Sequence, residues 1–175
     1  MTWWPFHWAE LIVGLVALER LGELIYAQRN TRALLREGAR EIGRSHYPLI
    51  VLLHLAWLIA IYALADKSAP PTWLWIAAFV LLQIARYWIL ATLGRYWTTR
   101  IIVVPNAPLI ADGPYRFLRH PNYAVVIAEI AVLPLAFGEY AIALVFTVLN
   151  ATLLAWRIRI ENAALNARSS LRSSQ

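Results

Sequence analysis

Two stretches of this chain carry side chains that could do chemistry, and each adjoins a long apolar run. The first is GPYRFLRHPNY, residues 113–123, which gathers two arginines, a histidine, two tyrosines, two prolines and an asparagine. The second is WRIRIENAAL, residues 156–165, where Arg157 and Glu161 lie four residues apart and therefore share one face of a helix. His120 stands just before a helix start, close to the positive end of its dipole, so the first stretch suits an anionic or carboxylate-bearing ligand.

The composition places this chemistry in a membrane protein. Of the 175 residues, 61% are hydrophobic, whereas soluble domains contain about 45–50% apolar residues. Nine tryptophans and eight tyrosines suit a protein that crosses two water–lipid interfaces. The absence of cysteine excludes disulfides, thiolate zinc sites and cysteine nucleophiles. The net charge of +6 is explained by basic residues on cytoplasmic loops, so we expect no nucleic-acid partner.

The hydropathy pattern predicts an all-α integral membrane protein with five transmembrane helices. A span needs roughly 17–25 mostly apolar residues, and the apolar region after residue 122 is too long for one, so we divide it around Pro134, Gly138 and Glu139. The predicted spans cover residues 5–26, 47–65, 73–93, 123–137 and 140–159. Spans 4 and 5 then form a closing helical hairpin. We assign residues 1–165 to a single domain and residues 166–175 to a disordered tail.

The basic residues predict the orientation. In the five-span arrangement, thirteen of the sixteen Lys and Arg residues fall on one side, and the loop on the other side carries Lys67. The positive-inside rule then places the N-terminus outside and the C-terminus in the cytoplasm. The connection of residues 94–122 lies on the cytoplasmic side, is stiffened by four prolines, and is longer than most structureless loops. We expect it to be a folded loop on the side of the membrane where soluble cofactors are available.

Several familiar sites are missing from the sequence. No Gly-rich strand–turn–helix is present, which excludes a Rossmann site and a P-loop. The four histidines are scattered, without an HExxH or i, i+4 pair, so we predict no metal site.

Together the two chemical stretches resemble the isoprenylcysteine carboxyl methyltransferase family, which belongs with the phospholipid methyltransferases. The first family signature, Gly-x-Tyr followed by Arg-His-Pro-x-Tyr, stands here at residues 113–115 and 119–123. The second is an arginine four residues before a glutamate, and it stands here as Arg157 and Glu161. Many members carry two successive glutamates there, whereas Asn162 follows Glu161 in this chain. The resemblance implies a methyltransferase that uses S-adenosyl-L-methionine (SAM) without a Rossmann fold and releases S-adenosyl-L-homocysteine.

The resemblance also implies a role for each matching residue. Arg157 corresponds to the residue that meets the anionic oxygen of the methyl acceptor. The implied cofactor-binding residues are Arg100, Ala107, Pro108, Leu109, Ile110, Tyr115, His120, Pro121, Asn122, Tyr123 and Glu161.

The acceptor is expected to be a lipophilic small molecule with an acidic oxygen, dissolved among membrane lipids. Residues 40–50 and 93–123 look most like a bacterial branch that O-methylates long-chain alkylpyrones or alkylresorcinols, which implies a bacterial inner membrane. A prenylcysteine carboxylate is the second alternative, and phospholipid N-methylation is the third. A small transporter or membrane assembly protein without chemistry is the alternative of another class. The sequence leaves the oligomeric state open.

Polar residues inside the spans form the last group of candidates. They are costly in lipid and are expected to face the interior of the bundle. They are Glu10, Glu19, Arg20, Glu23, His54, Gln83, Arg86 and Glu129. The expected role is pairing between helices, for example of Arg20 with Glu23, and for His54 packing and hydrogen bonding. The alternative is that Glu129 approaches the active site.

Overall fold

Five α-helices make up most of the structure. The computed structural model describes residues 7–44, 47–105, 107 and 110–173. The helices are α1 (Trp8–Arg36), α2 (Tyr47–Leu64), α3 (Trp73–Leu93), α4 (Pro121–Ala136) and α5 (Tyr140–Ser173). Short 3₁₀ segments at Gly94–Tyr96 and Gly113–Arg116 interrupt the long connection between α3 and α4.

Three of the helical segments are long and apolar enough to cross a membrane: Tyr47–Leu64, Trp73–Tyr96 and Tyr140–Glu161. Helix α4 is apolar, but it contains 16 residues and falls below the usual length of a span. Helix α1 has 29 residues and carries four charged side chains among its first sixteen residues. The helical membrane architecture is therefore confirmed, whereas the count of five spans and the orientation stay predictions. The predicted start of the first span, Pro5, lies outside the described residues.

Helix α1 separates its charged and apolar side chains. Leu15, Leu18 and Ile25 point outward and are 58%, 67% and 61% exposed, as suits a surface that meets lipid. Glu23 on the same helix is buried, and Arg20 forms an ion pair with it at 2.9 Å. The predicted pairing of these two residues is confirmed.

Helices α4 and α5 form the closing hairpin. Helix α4 ends at Ala136, and Gly138 adopts φ +74°, which lets its N–H bond the carbonyl of Leu135 before α5 begins at Tyr140. The N–H of Thr72 donates to the carbonyl of Ala136 at 2.7 Å, which joins the start of α3 to this end of the hairpin. Helix α5 continues to Ser173, whereas the sequence predicts a disordered tail from residue 166. No proline or glycine follows Gly138, so nothing local ends the helix earlier.

A small antiparallel sheet accompanies the five helices, and the sequence analysis did not predict it. Strand β1 (Arg40–Ile42) pairs with strand β2 (Ile101–Val103), and Glu41 faces Ile102 in the register. Strands of three residues are too short to show an alternating pattern in the sequence. The sheet holds the α1–α2 connection against the α3–α4 connection, so both contribute to the same end of the bundle.

The largest apolar core lies where α1, α2, α4 and α5 meet, with Phe79 of α3. Trp57, Ile61 and Leu133 are almost fully buried in it. The indole N–H of Trp57 donates to the carbonyl of Ile130 at 3.2 Å, so α2 is fixed against the middle of α4.

Candidate functional site

The hydroxyl of Tyr123 joins the two predicted site residues in the second half of α5. Arg157 donates from Nε to the Tyr123 oxygen at 2.8 Å, and that hydroxyl donates to Glu161 Oε2 at 2.5 Å. Arg157 is buried, with 7% of its surface exposed. A phenol that accepts from a guanidinium and donates to a carboxylate has a fixed hydrogen-bond direction, so the three side chains form one ordered unit.

The first turn of α4 presents the neighbouring groups. Pro121 occupies the start of the helix, where the missing N–H costs nothing, and is buried. The ring of His120 stacks on the ring of Tyr123 with centroids 5.3 Å apart. His120 Nδ1 lies 4.0 Å from Glu161 Oε2. His120 Nε2 and Asn122 Oδ1 are both buried without a hydrogen-bond partner among the described residues. Such groups are costly unless a ligand or water satisfies them.

Gly113 allows the connecting loop to lie directly on α3. Its φ is +55°, and a Cβ at this position would stand 2.6 Å from Thr92 Oγ1. This close approach brings Tyr115 into the apolar cluster around Ile89 and Trp97. Burial there, with a smaller effect of Glu161, raises the pKa of Tyr115 to about 12. Tyr115 is therefore a neutral phenol beside the site at physiological pH.

The remaining predicted cofactor residues are less closely grouped. Arg100 bonds Glu41 Oε1 at 2.7 Å and lies over the ring of Tyr47 at 4.5 Å, so it links the small sheet to the start of α2. Ala107 and Ile110 are half-buried in the loop. Pro108 and Leu109 lie outside the described residues. The structure thus brings His120, Asn122, Tyr123, Arg157 and Glu161 together.

A chamber of about 330 Å³ adjoins this group and extends into the bundle. Its apolar wall includes Leu21 and Leu24 of α1, and Val51 and Leu55 of α2. Its polar lining includes Arg20, Glu23, His54, Arg86, Asn122, Tyr123 and Arg157. This volume stands at the lower end of the range for ligand sites, roughly 300–1,000 Å³. The α1–α2 side was not part of the predicted site, although charges in an apolar span are a recognisable sequence signal.

A buried ion network contributes to the lining of the chamber. Arg86 bonds Glu23 through Nε at 2.5 Å and Nη2 at 2.6 Å, and it bonds Glu129 through Nη1 at 3.0 Å. Arg20 reaches Glu129 at 3.2 Å as well as Glu23. Glu129 therefore pairs with arginines of α1 and α3. It contacts the candidate site through these arginines, both of which line the chamber.

Comparison with known proteins gives three results. The sequence model of the isoprenylcysteine carboxyl methyltransferase (ICMT) family matches residues 75–167. The uncharacterized protein YpbQ of Bacillus subtilis is 42% identical over 163 residues, which cover 91% of this chain and 97% of the relative. An uncharacterized protein of Haemophilus influenzae is 27% identical over 154 residues, covering 84% of this chain and 88% of that protein. The search of solved structures found no significant match.

Proposed function

Because the chain belongs to the isoprenylcysteine carboxyl methyltransferase family, a family of membrane methyltransferases, we propose that it transfers the methyl group of SAM to an acidic oxygen of a lipophilic acceptor. The observation that carries this proposal is the Arg157–Tyr123–Glu161 unit at the end of a chamber with apolar walls. One end of the unit offers a cation to an anionic acceptor. The other end offers a carboxylate to a cationic cofactor.

The residues at the start of α4 fit SAM. Its ribose hydroxyls, ammonium group and adenine amine are hydrogen-bond donors. Asn122 Oδ1, a buried acceptor, and His120 Nε2, a buried ring nitrogen, lack partners among the described residues. Glu161 adds a carboxylate that can pair with the ammonium group or the ribose hydroxyls. When bound, SAM supplies an activated methyl group, so the reaction needs neither a metal nor a covalent intermediate.

Arg157 is positioned to hold the acceptor. Its Nε is occupied by Tyr123, which fixes the plane of the guanidinium and leaves the two Nη groups for the chamber. A planar guanidinium binds an oxyanion with two parallel hydrogen bonds. The apolar walls keep water away from this contact, which strengthens it, and holding the reacting groups in line lowers the barrier by several kcal/mol.

The acceptor we favour is a long-chain alkylpyrone or alkylresorcinol in a bacterial inner membrane. Both relatives named above are bacterial proteins, and the chamber joins a polar end to walls of leucine and valine. A prenylcysteine carboxylate is the second candidate, because the family description names that reaction. We place the N-terminus outside and the C-terminus in the cytoplasm, so that soluble SAM reaches the site.

Methyl transfer from labelled SAM tests the proposal. Purified protein in detergent is incubated with labelled SAM and, separately, a 6-alkyl-4-hydroxy-2-pyrone, 5-pentadecylresorcinol, N-acetyl-S-farnesylcysteine or phosphatidylethanolamine. Label in a hydroxylated ring supports the favoured acceptor, and label in the farnesylcysteine supports the second candidate. A folded protein without measurable SAM affinity by calorimetry would instead be a transporter or an assembly protein.

A further inference from the structure

His54 presents an unpartnered acceptor to the chamber. Its Nδ1 lies 2.8 Å from the carbonyl oxygen of Ile50 in the preceding turn of α2. A carbonyl can only accept, so Nδ1 carries the ring proton and Nε2 presents a lone pair. Among the described residues, Nε2 has no hydrogen-bond partner. The backbone of α2 thus fixes the tautomer that can receive a proton.

Apart from Asn122 Oδ1, which the proposed function assigns to SAM, the charged groups of the chamber are donors or already paired. Both oxygens of Glu23 are bonded by arginines. Arg157 and Arg86 supply guanidinium N–H groups and cannot accept. A head group with only acceptor oxygens would leave His54 Nε2 unsatisfied. The lining is therefore complementary to a head group that brings a hydroxyl proton of its own.

We propose that His54 Nε2 accepts the hydroxyl proton of an enol or phenol head group, so that the acceptor is a hydroxylated ring on a long apolar chain. This proposal rests on the proposed function and selects among its acceptors. A hydroxylated ring reaches the chamber from lipid in its neutral form, because the ionised form is costly there. A carboxylate is already ionised at the membrane surface and needs no proton acceptor.

The atoms and charges balance for this step. The O–H bond of the acceptor breaks and its proton passes to His54 Nε2, while the oxygen electron pair forms a bond to the methyl carbon. The bond between that carbon and the sulfonium sulfur breaks, and the sulfur keeps its electron pair as a neutral thioether. The proton on His54 is then released to water. This proton carries the positive charge that the sulfonium loses when its methyl group is transferred.

Two substitutions separate this role from a structural one. His54→Asn places an amide N–H where Nδ1 stands, so the bond to Ile50 can persist while Nε2 is lost. His54→Gln places an amide oxygen near the Nε2 position, which can accept a hydrogen bond but cannot take a proton. His7→Gln is the matched control, because His7 is exposed at the start of α1. Tm and SAM affinity report whether each variant is folded.

The first readout is acceptor binding without turnover. With S-adenosyl-L-homocysteine present, wild type should bind 5-pentadecylresorcinol about tenfold tighter than its dimethyl ether, the scale of one buried hydrogen bond. His54→Asn should lose this preference and His54→Gln should retain part of it. The second readout is kcat with 5-pentadecylresorcinol, which should fall at least tenfold in both variants while the control stays at the wild-type value.

The proposal would be overturned if His54→Asn kept both the wild-type kcat and the wild-type preference for 5-pentadecylresorcinol over its dimethyl ether. Transfer by wild type to N-acetyl-S-farnesylcysteine but not to any hydroxylated ring would overturn it too, and would leave the proposed methyltransferase function intact. Absence of SAM binding would remove the proposed function itself.

Discussion

Removal of a single oxygen atom from Tyr123 should separate the acceptor side of the site from the cofactor side. Tyr123→Phe deletes the hydroxyl that accepts from Arg157 Nε at 2.8 Å and donates to Glu161 Oε2 at 2.5 Å. The ring remains, so the stacking with His120 is kept. The substitution therefore tests the hydrogen bonds alone.

The expected magnitude follows from what the loss leaves behind. Arg157 is buried, and a buried charged group that loses one partner costs about 1–3 kcal/mol. If this free energy is lost from the binding of the transition state by Arg157, kcat should fall roughly 5- to 150-fold. Glu161 loses a donor but keeps its carboxyl group available to SAM, so SAM affinity should stay within about threefold of wild type.

The assay is methyl transfer at saturating SAM across a range of acceptor concentrations, with SAM affinity measured by calorimetry on the same preparations. Tyr140→Phe serves as the control, because Tyr140 is 71% exposed at the opposite end of α5. A kcat within twofold of wild type would refute a coupling role for the hydroxyl. An equal loss of SAM affinity and kcat would assign Tyr123 to the cofactor instead.

Four further predictions follow from the same geometry. Arg157→Lys keeps the charge but loses the planar fork, so transfer should fall at least tenfold with unchanged SAM affinity; full activity would make Arg157 a positive-inside anchor. His120→Ala and Glu161→Ala should each weaken SAM binding about tenfold or more by calorimetry, and unchanged affinity in both would refute the cofactor site. Gly113→Ala should lower the free energy of unfolding by about 1–2 kcal/mol, because φ is +55°, whereas Gly14→Ala, which meets no atom within 4 Å, should not. Topology reporters on the C-terminus and on the α2–α3 loop should report opposite sides of the membrane, and a shared side would refute the orientation.

The grouping of the site residues could be predicted because it depends on a helical hairpin. Tyr123 lies fifteen residues before Gly138, and Arg157 lies nineteen residues after it. Antiparallel helices rise equally per residue, so positions at similar distances from the turn lie side by side. Glu161 is one further turn along and remains on the same face. The two sequence motifs and the position of the turn between α4 and α5 are therefore sufficient to predict that these side chains lie close together.

The role of Arg100 could not be fixed in this way. Its neighbours in the sequence carry no periodic pattern, and its partner Glu41 lies in a different connection. The two residues meet because β1 and β2 pair, and strands of three residues leave no signal in hydropathy. The chamber was missed for a related reason. Its lining residues come from all five helices, and the sequence does not specify which faces of α1 and α2 turn toward α4 and α5.

The ion network explains why α1 carries charges that lower its apolar character. Apolar residues of similar volume often stabilise a buried site as well as an ion pair does, so stability alone does not require Arg86 between Glu23 and Glu129. Apolar residues would, however, leave that part of the chamber wall without polar groups. The network instead places Arg20, Glu23 and Arg86 in the same lining as Leu21 and Leu24, without an unpaired charge on Arg86. In the proposed reaction, the polar head of a lipophilic acceptor can therefore meet Arg157 and these paired charges, while its apolar chain contacts the leucines.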